Sequence, residues 1–332
     1  MCNSNKLMNI LVTGCAGFIG FHSSLKILKN INCKIYGIDN LNDYYDINLK
    51  KERLKILKKN KNFFFFKKDL KNLIFLENLF KKNKFDYVLH FAAQAGVRFS
   101  KNNTKKYFNS NIISFYNILE LSKKYKIKHF IFSSSSSVYN NISEKPSKEN
   151  DIENKPTSFY AATKLSNETF AYSYSNMYGL PCTGLRFFSV YGPWGRPDMS
   201  LFIFLKAIFN KEKVILNNKG NNQRDYTYID DVIEIIFKLL KKPSKQNIPY
   251  NIFNIGAQKK IKIKYLINLL EIKTNKKLIK PSIGHSKLDV KNTLSNSSKI
   301  NKYIKIRKFT NLDQGLNLFI DWFKDYYKIN KK

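Results

Sequence analysis

The sequence predicts an α/β protein built on a doubly wound parallel sheet, with a smaller α/β domain after it. Three observations point there. Short apolar runs alternate with stretches of helical apolar spacing through the first half of the chain, the pattern of strands joined by crossover helices. The first run, Met8-Asn-Ile-Leu-Val12, leads straight into Thr13-Gly-Cys-Ala-Gly-Phe-Ile-Gly20, so glycines stand where a strand turns into a helix. A serine tract, Ser133 to Ser137, follows a later strand, at the edge where open α/β sheets place ligands.

Taken in order, Met8 to Val12 reads as a buried strand and Phe21 to Lys29 as a helix. Gly14, Gly17 and Gly20, with Phe18 and Ile19 among them, fit a phosphate-binding turn. Without side chains the backbone can approach a pyrophosphate, and the helix start offers N–H groups and a positive dipole end. The second strand, Cys33 to Ile38, ends at Asp39, 19 residues after Gly20. A carboxylate there accepts both ribose hydroxyls and repels a 2′-phosphate, so the cofactor reads as NAD rather than NADP. The bland alternative, a glycine turn with an unrelated surface Asp, does not explain strand, glycines, helix and acid in that order. Three further strands close on candidate cofactor contacts: Phe63 to Lys67 leads to Asp69 and Leu70, Asp86 to Phe91 to Ala92, Ala93 and Gln94, and His129 to Phe132 to the serines. Asn40, next to Asp39, joins the same set. Helical patterns near Leu73 to Lys82 and Thr104 to Tyr125 fill the gaps.

The chemistry centres on Ser158-Phe-Tyr-Ala-Ala-Thr-Lys164. At i and i+4 on a helix, Tyr160 and Lys164 share one face. An ammonium beside the phenol favours the phenolate, which turns a Tyr of ordinary pKa about 10 into a base near neutrality. The spacing alone is weak in a chain with 20 Tyr and 59 Lys plus Arg, and its value comes from the glycine turn and serine tract around it. Beyond it, Leu180 to Phe188 reads as a sixth strand, and Ser189 to Asp198 and Asn217 to Asp225 as polar loops. Asp230 to Lys241 and Leu312 to Tyr327 read as packed helices. The expected organisation is an NAD-binding domain over 1–180, with 225–256 returning to it, and a substrate domain over 181–332.

With 332 residues and 43% hydrophobic content, the chain can bury large cores. Its apolar runs are too short to span a bilayer, and Met1 to Met8 lacks a signal-peptide core, so a cytoplasmic protein without a membrane partner is expected. Four cysteines, at 2, 15, 33 and 182, show neither C-x-x-C pairing nor metal-ligand spacing with the histidines, which reads as reduced thiols and no metal. The net charge of +35 would suggest nucleic acid. The lysines, however, are spread through the chain alongside abundant Asn, Ile, Tyr and Phe, as AT-rich coding produces, and no basic tail or nucleic-acid module is present. No nucleic-acid partner is expected; such a field would still attract a dinucleotide and an anionic sugar nucleotide.

The motifs quoted above, with Gly37-Ile-Asp-Asn-Leu-Asn-Asp-Tyr-Tyr45, Ala92-Ala-Gln-Ala-Gly-Val-Arg98, Leu185 to Met199 and Arg224-Asp-Tyr-Thr-Tyr-Ile-Asp-Asp231, resemble the extended short-chain dehydrogenase/reductases. More closely they resemble the UDP-glucuronate 4-epimerases, through Asp-Asn-Leu-Asn-Asp-Tyr-Tyr and Gly-Pro-Trp-Gly-Arg-Pro-Asp-Met in particular. The resemblance implies a Rossmann-like domain, NAD, and reversible conversion of UDP-glucuronate to UDP-galacturonate through a 4-keto sugar. It implies Tyr160 as base, Lys164 as its activator and Ser135, counted back from Val138, as proton relay, with Ser136 and Ser137 near the sugar. Arg224 matches the diphosphate-binding position. Ser189, where Thr is more usual, and Arg196 match the carboxylate-binding positions, with Arg98 a further candidate for that pocket. Related decarboxylases carry Glu just before Val-Tyr and dehydratases carry Asp-Glu, where this chain has Ser136 and Ser137. Decarboxylation is the runner-up because substrate and first step are shared; another UDP-sugar 4-epimerase and a non-catalytic NAD-sensing scaffold are the remaining alternatives. Asn140 stands where Gly is usual, and Ile283 to Val290 matches the family's nucleotide region only loosely. A homodimer through the helices around Thr104 to Tyr125 and Tyr160 to Met177 is also implied.

Overall fold

The computed structural model describes residues 7–139, 145–279, 282–284, 292–306 and 308–329. Cys2, Asn140 and positions 285–290 lie outside the described residues. The strands are β1 (Met8–Thr13), β2 (Cys33–Asp39), β3 (Phe63–Lys67), β4 (Tyr87–His90), β5 (His129–Ser135), β6 (Cys182–Phe187), β7 (Ser189–Tyr191), β8 (Ile215–Asn217), β9 (Gln223–Tyr228), β10 (Tyr250–Ile255), β11 (Lys260–Lys262) and β12 (Ser282–Gly284). The helices are α1 (Phe18–Asn30), α2 (Ile47–Leu57), α3 (Leu73–Asn83), α4 (Thr104–Tyr107), α5 (Ser114–Lys124), α6 (Phe159–Tyr178), α7 (Ser200–Asn210), α8 (Ile229–Leu239), α9 (Ile263–Thr274), α10 (Ser298–Ile304) and α11 (Leu312–Tyr326).

Two compact units result: Met1–Val138, Ser158–Arg186 and Ile233–Phe253 form the first, and Tyr139–Thr157, Phe187–Val232 and Asn254–Lys332 the second. The stretch after Tyr139 joins the second unit because its backbone is tied there. Ser147 N donates to Leu294 O at 2.8 Å, and Glu149 accepts from Asn254 N at 2.9 Å.

The first unit is a Rossmann-like seven-stranded sheet in the order β10-β6-β5-β4-β1-β2-β3. The β1·β2, β2·β3, β1·β4 and β4·β5 ladders are all parallel. Strand order reverses between β1 and β4, which makes their carboxyl ends the topological switch point of the sheet. Ile10 to Thr13 are all buried, as expected of a strand covered on both faces. Leu11, Phe80, Phe115, Ile118, Phe130 and Phe132 belong to one core cluster. Local chemistry fixes the helix ends. Asp46, Asn72 and Ser158 cap α2, α3 and α6 by accepting from Asn48 N, Phe75 N and Ala161 N at 2.9, 3.0 and 3.1 Å, and Gly179 ends α6 with φ +65°.

Three sequence expectations need correction. The single helix over Thr104 to Tyr125 is interrupted by a π-helical stretch, Phe108–Ile113. The serines begin inside β5 rather than after it, and Ser136–Tyr139 form a 3₁₀ turn. Ser189 to Tyr191 and Gln223 to Asp225, read as loop, are strand: β7 pairs in parallel with β9, and β11 antiparallel with it. Tyr and Thr give β9 its strand character, and its polar flank hid the start. In the second unit α11 packs Trp322 against Trp194, ring centroids 5.4 Å apart.

Candidate active site

The glycine turn follows β1. Gly14 has φ +70°, and a Cβ on it would lie 2.7 Å from Ala92 N, so the residue after β1 must be glycine for the end of β4 to approach it. Gly20 is pressed as closely: a Cβ there would meet Gly14 O at 2.2 Å. Gly17 N donates to Gly14 O at 2.9 Å. No side chain caps α1 at Gly17, and no acid occupies its first turn, leaving the Phe18, Ile19 and Gly20 end suited to an anionic phosphate.

Asp39 ends β2 beside this turn. Its carboxylate accepts from Leu41 N at 2.8 Å and Ala16 N at 3.2 Å. Burial pushes its pKa up, opposed by the Leu41 N–H bond and then Lys50. Arg53, a residue the sequence reading missed among so many cations, is fully buried and braces the turn through Ala16 O at 2.8 Å. Asn40 reaches Asp69 at 3.4 Å, and Leu70 O accepts from Asn117 at 2.9 Å. Past β4, Ala92 N donates to Thr13 Oγ1 at 3.3 Å; Ala93 is half-buried and Gln94 buried. Asn111, carried by the π-helical stretch, accepts from Gln94 N at 2.7 Å and donates to Gln94 O and Thr163 Oγ1 at 3.0 Å each. It therefore ties the loop after β4 to the helix that holds Tyr160. Every candidate cofactor residue up to Gln94 thus lies at or after the carboxyl end of β1, β2, β3 or β4.

Tyr160 is half-buried in the first turn of α6. Its ring meets Tyr107 edge-on at 6.0 Å, and Lys164 Nζ stands 6.0 Å from its centroid. Lys164 is buried and donates to Ser133 O at 2.8 Å and Ser133 Oγ at 3.2 Å, clamping α6 to the end of β5. Burial pushes its pKa down to about 7, with the Glu168 carboxylate opposing. Ser135 Oγ donates to Ser137 Oγ at 3.0 Å and accepts from Ser137 N at 3.1 Å; Ser136 is half-buried in the same turn. Beneath them lies a buried network absent from the sequence reading. Arg186 in β6 grips Glu168 through Nε at 2.9 Å and Nη2 at 2.7 Å, and Ser134 Oγ donates to the same carboxylate. Its only sequence signal is the single turn that separates Lys164 from Glu168. Arg98 is exposed, opening the 3₁₀ turn Phe99–Asn102.

The remaining substrate candidates lie in the second unit. Ser189 starts β7, in register with Tyr226 of β9, and Arg224 lies two residues before that partner. Asp225 anchors the strand by accepting from Ala257 N, Gln258 N and Ser295 N at 2.9, 3.1 and 2.9 Å. Arg196 pairs with Asp198, Nε to Oδ1 at 3.0 Å and Nη2 to Oδ2 at 2.5 Å. Cys15, Cys33 and Cys182 are free and buried. Among the described residues no cluster of three or more His, Cys, Asp or Glu could hold a metal, and no helix is long and apolar enough to cross a membrane.

Residues 10–256 match the model of the NAD dependent epimerase/dehydratase family. The chain belongs to that family. It is 43% identical to Protein CapI of Staphylococcus aureus, over 97% of this chain and 100% of that one. With UDP-glucuronate 4-epimerase 4 of Arabidopsis thaliana it shares 38%, covering 99% of this chain and 78% of that protein. The crystal structure of UDP-glucuronic acid 4-epimerase from Bacillus cereus, in complex with UDP-glucuronic acid and NAD, superposes with a TM-score of 0.87 at 33% identity, over 96% of this chain and 100% of that one. For this family member, the switch-point turn and Asp39 fit an adenine dinucleotide, the turn through its uncapped helix start and Asp39 through its place at the end of β2 beside that turn.

Proposed function

We propose that this protein is a UDP-glucuronate 4-epimerase, interconverting UDP-glucuronate and UDP-galacturonate. The observation that carries the reading is the Lys164–Ser133 clamp, which seats the Tyr160 helix on the carboxyl end of β5. NAD, when bound, supplies a hydride acceptor and donor for the sugar C4. Gly14, Gly17, Phe18, Ile19 and Gly20 would hold its pyrophosphate and Asp39 and Asn40 a ribose, while Asp69, Leu70, Ala92, Ala93 and Gln94 line the rest. Tyr160, as phenolate, takes the O4 proton and later returns it. The Lys164 ammonium favours that phenolate, and Ser135 hydrogen-bonds O4. Arg224 offers the diphosphate a planar donor fork.

The uronate reading rests on Ser189 and Arg196 as carboxylate partners, with Arg98, Ser136 and Ser137 near the sugar. Ser136 and Ser137 supply hydroxyls where elimination chemistry needs an acid, which disfavours dehydration. Two copies would pair through α5 and α6, whose exposed side chains include Tyr116, Tyr172, Met177 and Tyr178, in the cytoplasm. Purified protein given UDP-glucuronate without added NAD is expected to form UDP-galacturonate. Carbon dioxide with UDP-xylose as the main product would identify a decarboxylase, turnover of neutral UDP-sugars alone another 4-epimerase, and no product a scaffold.

A further inference from the structure

We propose that Asp198 is a positioning residue that fixes the plane of the Arg196 guanidinium, and that this keeps the 4-keto uronate from losing carbon dioxide. The proposal rests on the reading of Arg196 as the uronate partner. Residues Arg196 to Met199 form a turn closed by Met199 N donating to Arg196 O at 3.2 Å. Pro197 occupies its second position, where a fixed φ stiffens the backbone. The turn folds the Asp198 carboxylate back onto its neighbour. Asp198 takes the side-on edge of the guanidinium, Nε and Nη2, at 3.0 and 2.5 Å, with both side chains about a quarter exposed, 25% and 26%. Guanidinium carries five N–H donors, and Asp198 engages one of its edges, through Nε and Nη2. Trp194, two residues before Arg196, holds the loop against Trp322 and Tyr326 of α11, with ring centroids at 5.4 and 5.2 Å.

Orientation matters here because the 4-keto sugar acid is a β-keto acid. If its carboxylate is bent out of the ring plane so that the C5–C6 bond aligns with the C4 carbonyl π system, that bond breaks. Its electron pair passes to the carbonyl oxygen, carbon dioxide leaves, and the enolate takes a proton at C5. An arginine with free torsions would follow the carboxylate as it turns. One held on its other edge resists.

Asp198→Asn, which keeps the side-chain shape and one acceptor, and Asp198→Ala are assayed on UDP-glucuronate beside Arg196→Ala, with epimer, carbon dioxide, KM and bound NAD followed separately. Carbon dioxide released per epimer formed is expected to rise at least about fivefold in Asp198→Ala and less in Asp198→Asn, with KM raised and bound NAD unchanged. Simple loss of structure lowers both products and NAD together and does not change their ratio. An unchanged ratio in both Asp198 variants, while Arg196→Ala weakens UDP-glucuronate binding, overturns the proposal and leaves the epimerase reading standing. A lowered KM in the Asp198 variants also overturns it, by making the carboxylate a competitor. Wild-type binding of UDP-glucuronate by Arg196→Ala overturns the uronate reading itself.

Discussion

Lys164 carries the most consequential conflict in the chain: its ammonium is wanted beside a phenol, yet it is buried and its pKa is pushed down to about 7. An unfolded lysine keeps its proton up to about pH 10.4. Between those pH values the unfolded chain binds more protons than the folded one, so stability rises with pH, by at most about 1.4 kcal/mol per pH unit for one group. Below pH about 7 the folded chain must bury the charge and that contribution is lost. Urea unfolding of cofactor-free protein at the two ends of the window is expected to show the rise, and Lys164→Met is expected to flatten it. Tyr160→Phe tests the partner: turnover should fall about 10²- to 10⁴-fold while NAD stays bound, and undiminished activity would remove Tyr160 as base. Tyr160 and Lys164 were legible because one helical turn brings them together. Asn111 was not, since its partners stand 17 and 52 residues away and nothing local marks it.

The same contrast holds one level up, where α6 is tied to β5 and β6 by Ser134, Glu168 and Arg186. The Glu168 and Arg186 side chains are 6% and 2% exposed, so removing one charge leaves the other buried and unpaired. Arg186→Met is expected to cost about 3–5 kcal/mol, and Glu168→Leu with Arg186→Met to recover most of it. Chemical denaturation of both single variants and the pair measures this; a double variant no more stable than Arg186→Met would sink the account. Six strands of the sheet, β1 to β6, were readable as short apolar runs, because burial on both faces selects for such runs, whereas β10 at its edge was not read. The π-helical stretch at Phe108–Ile113 was invisible because its apolar spacing still looks helical. β7 and β9 were misread because turn-forming and polar residues flank them, and their pairing across the chain leaves no mark in either segment alone. The turn from Arg196 to Met199 fell between: Arg196 stands in a motif that the sequence shows, whereas its contact with Asp198 needs the folded turn.

At the scale of the whole chain, 59 Lys and Arg against 24 Asp and Glu leave a net charge of +35, a surplus of cations with no acid to pair with one to one. Two opposite responses to salt follow. Uncompensated like charges repel in the compact state, so screening should stabilise the fold. The same field would draw in the proposed anionic sugar nucleotide, so screening should slow its capture. Raising ionic strength from about 0.01 to about 0.15 M shortens the Debye length from about 30 to about 8 Å, enough to separate surface repulsion from short contact pairs. Over that range Tm is expected to rise while kcat/KM for UDP-glucuronate falls, by up to about tenfold. Surface pairs such as Lys124–Glu77 at 3.1 Å and Lys128–Asp86 at 2.8 Å act in the other direction on stability, but exposed pairs are individually weak because water and salt screen them. A Tm that falls with salt would mean that such pairs outweigh the surplus, and the charge would then have to be read as a network rather than as an excess.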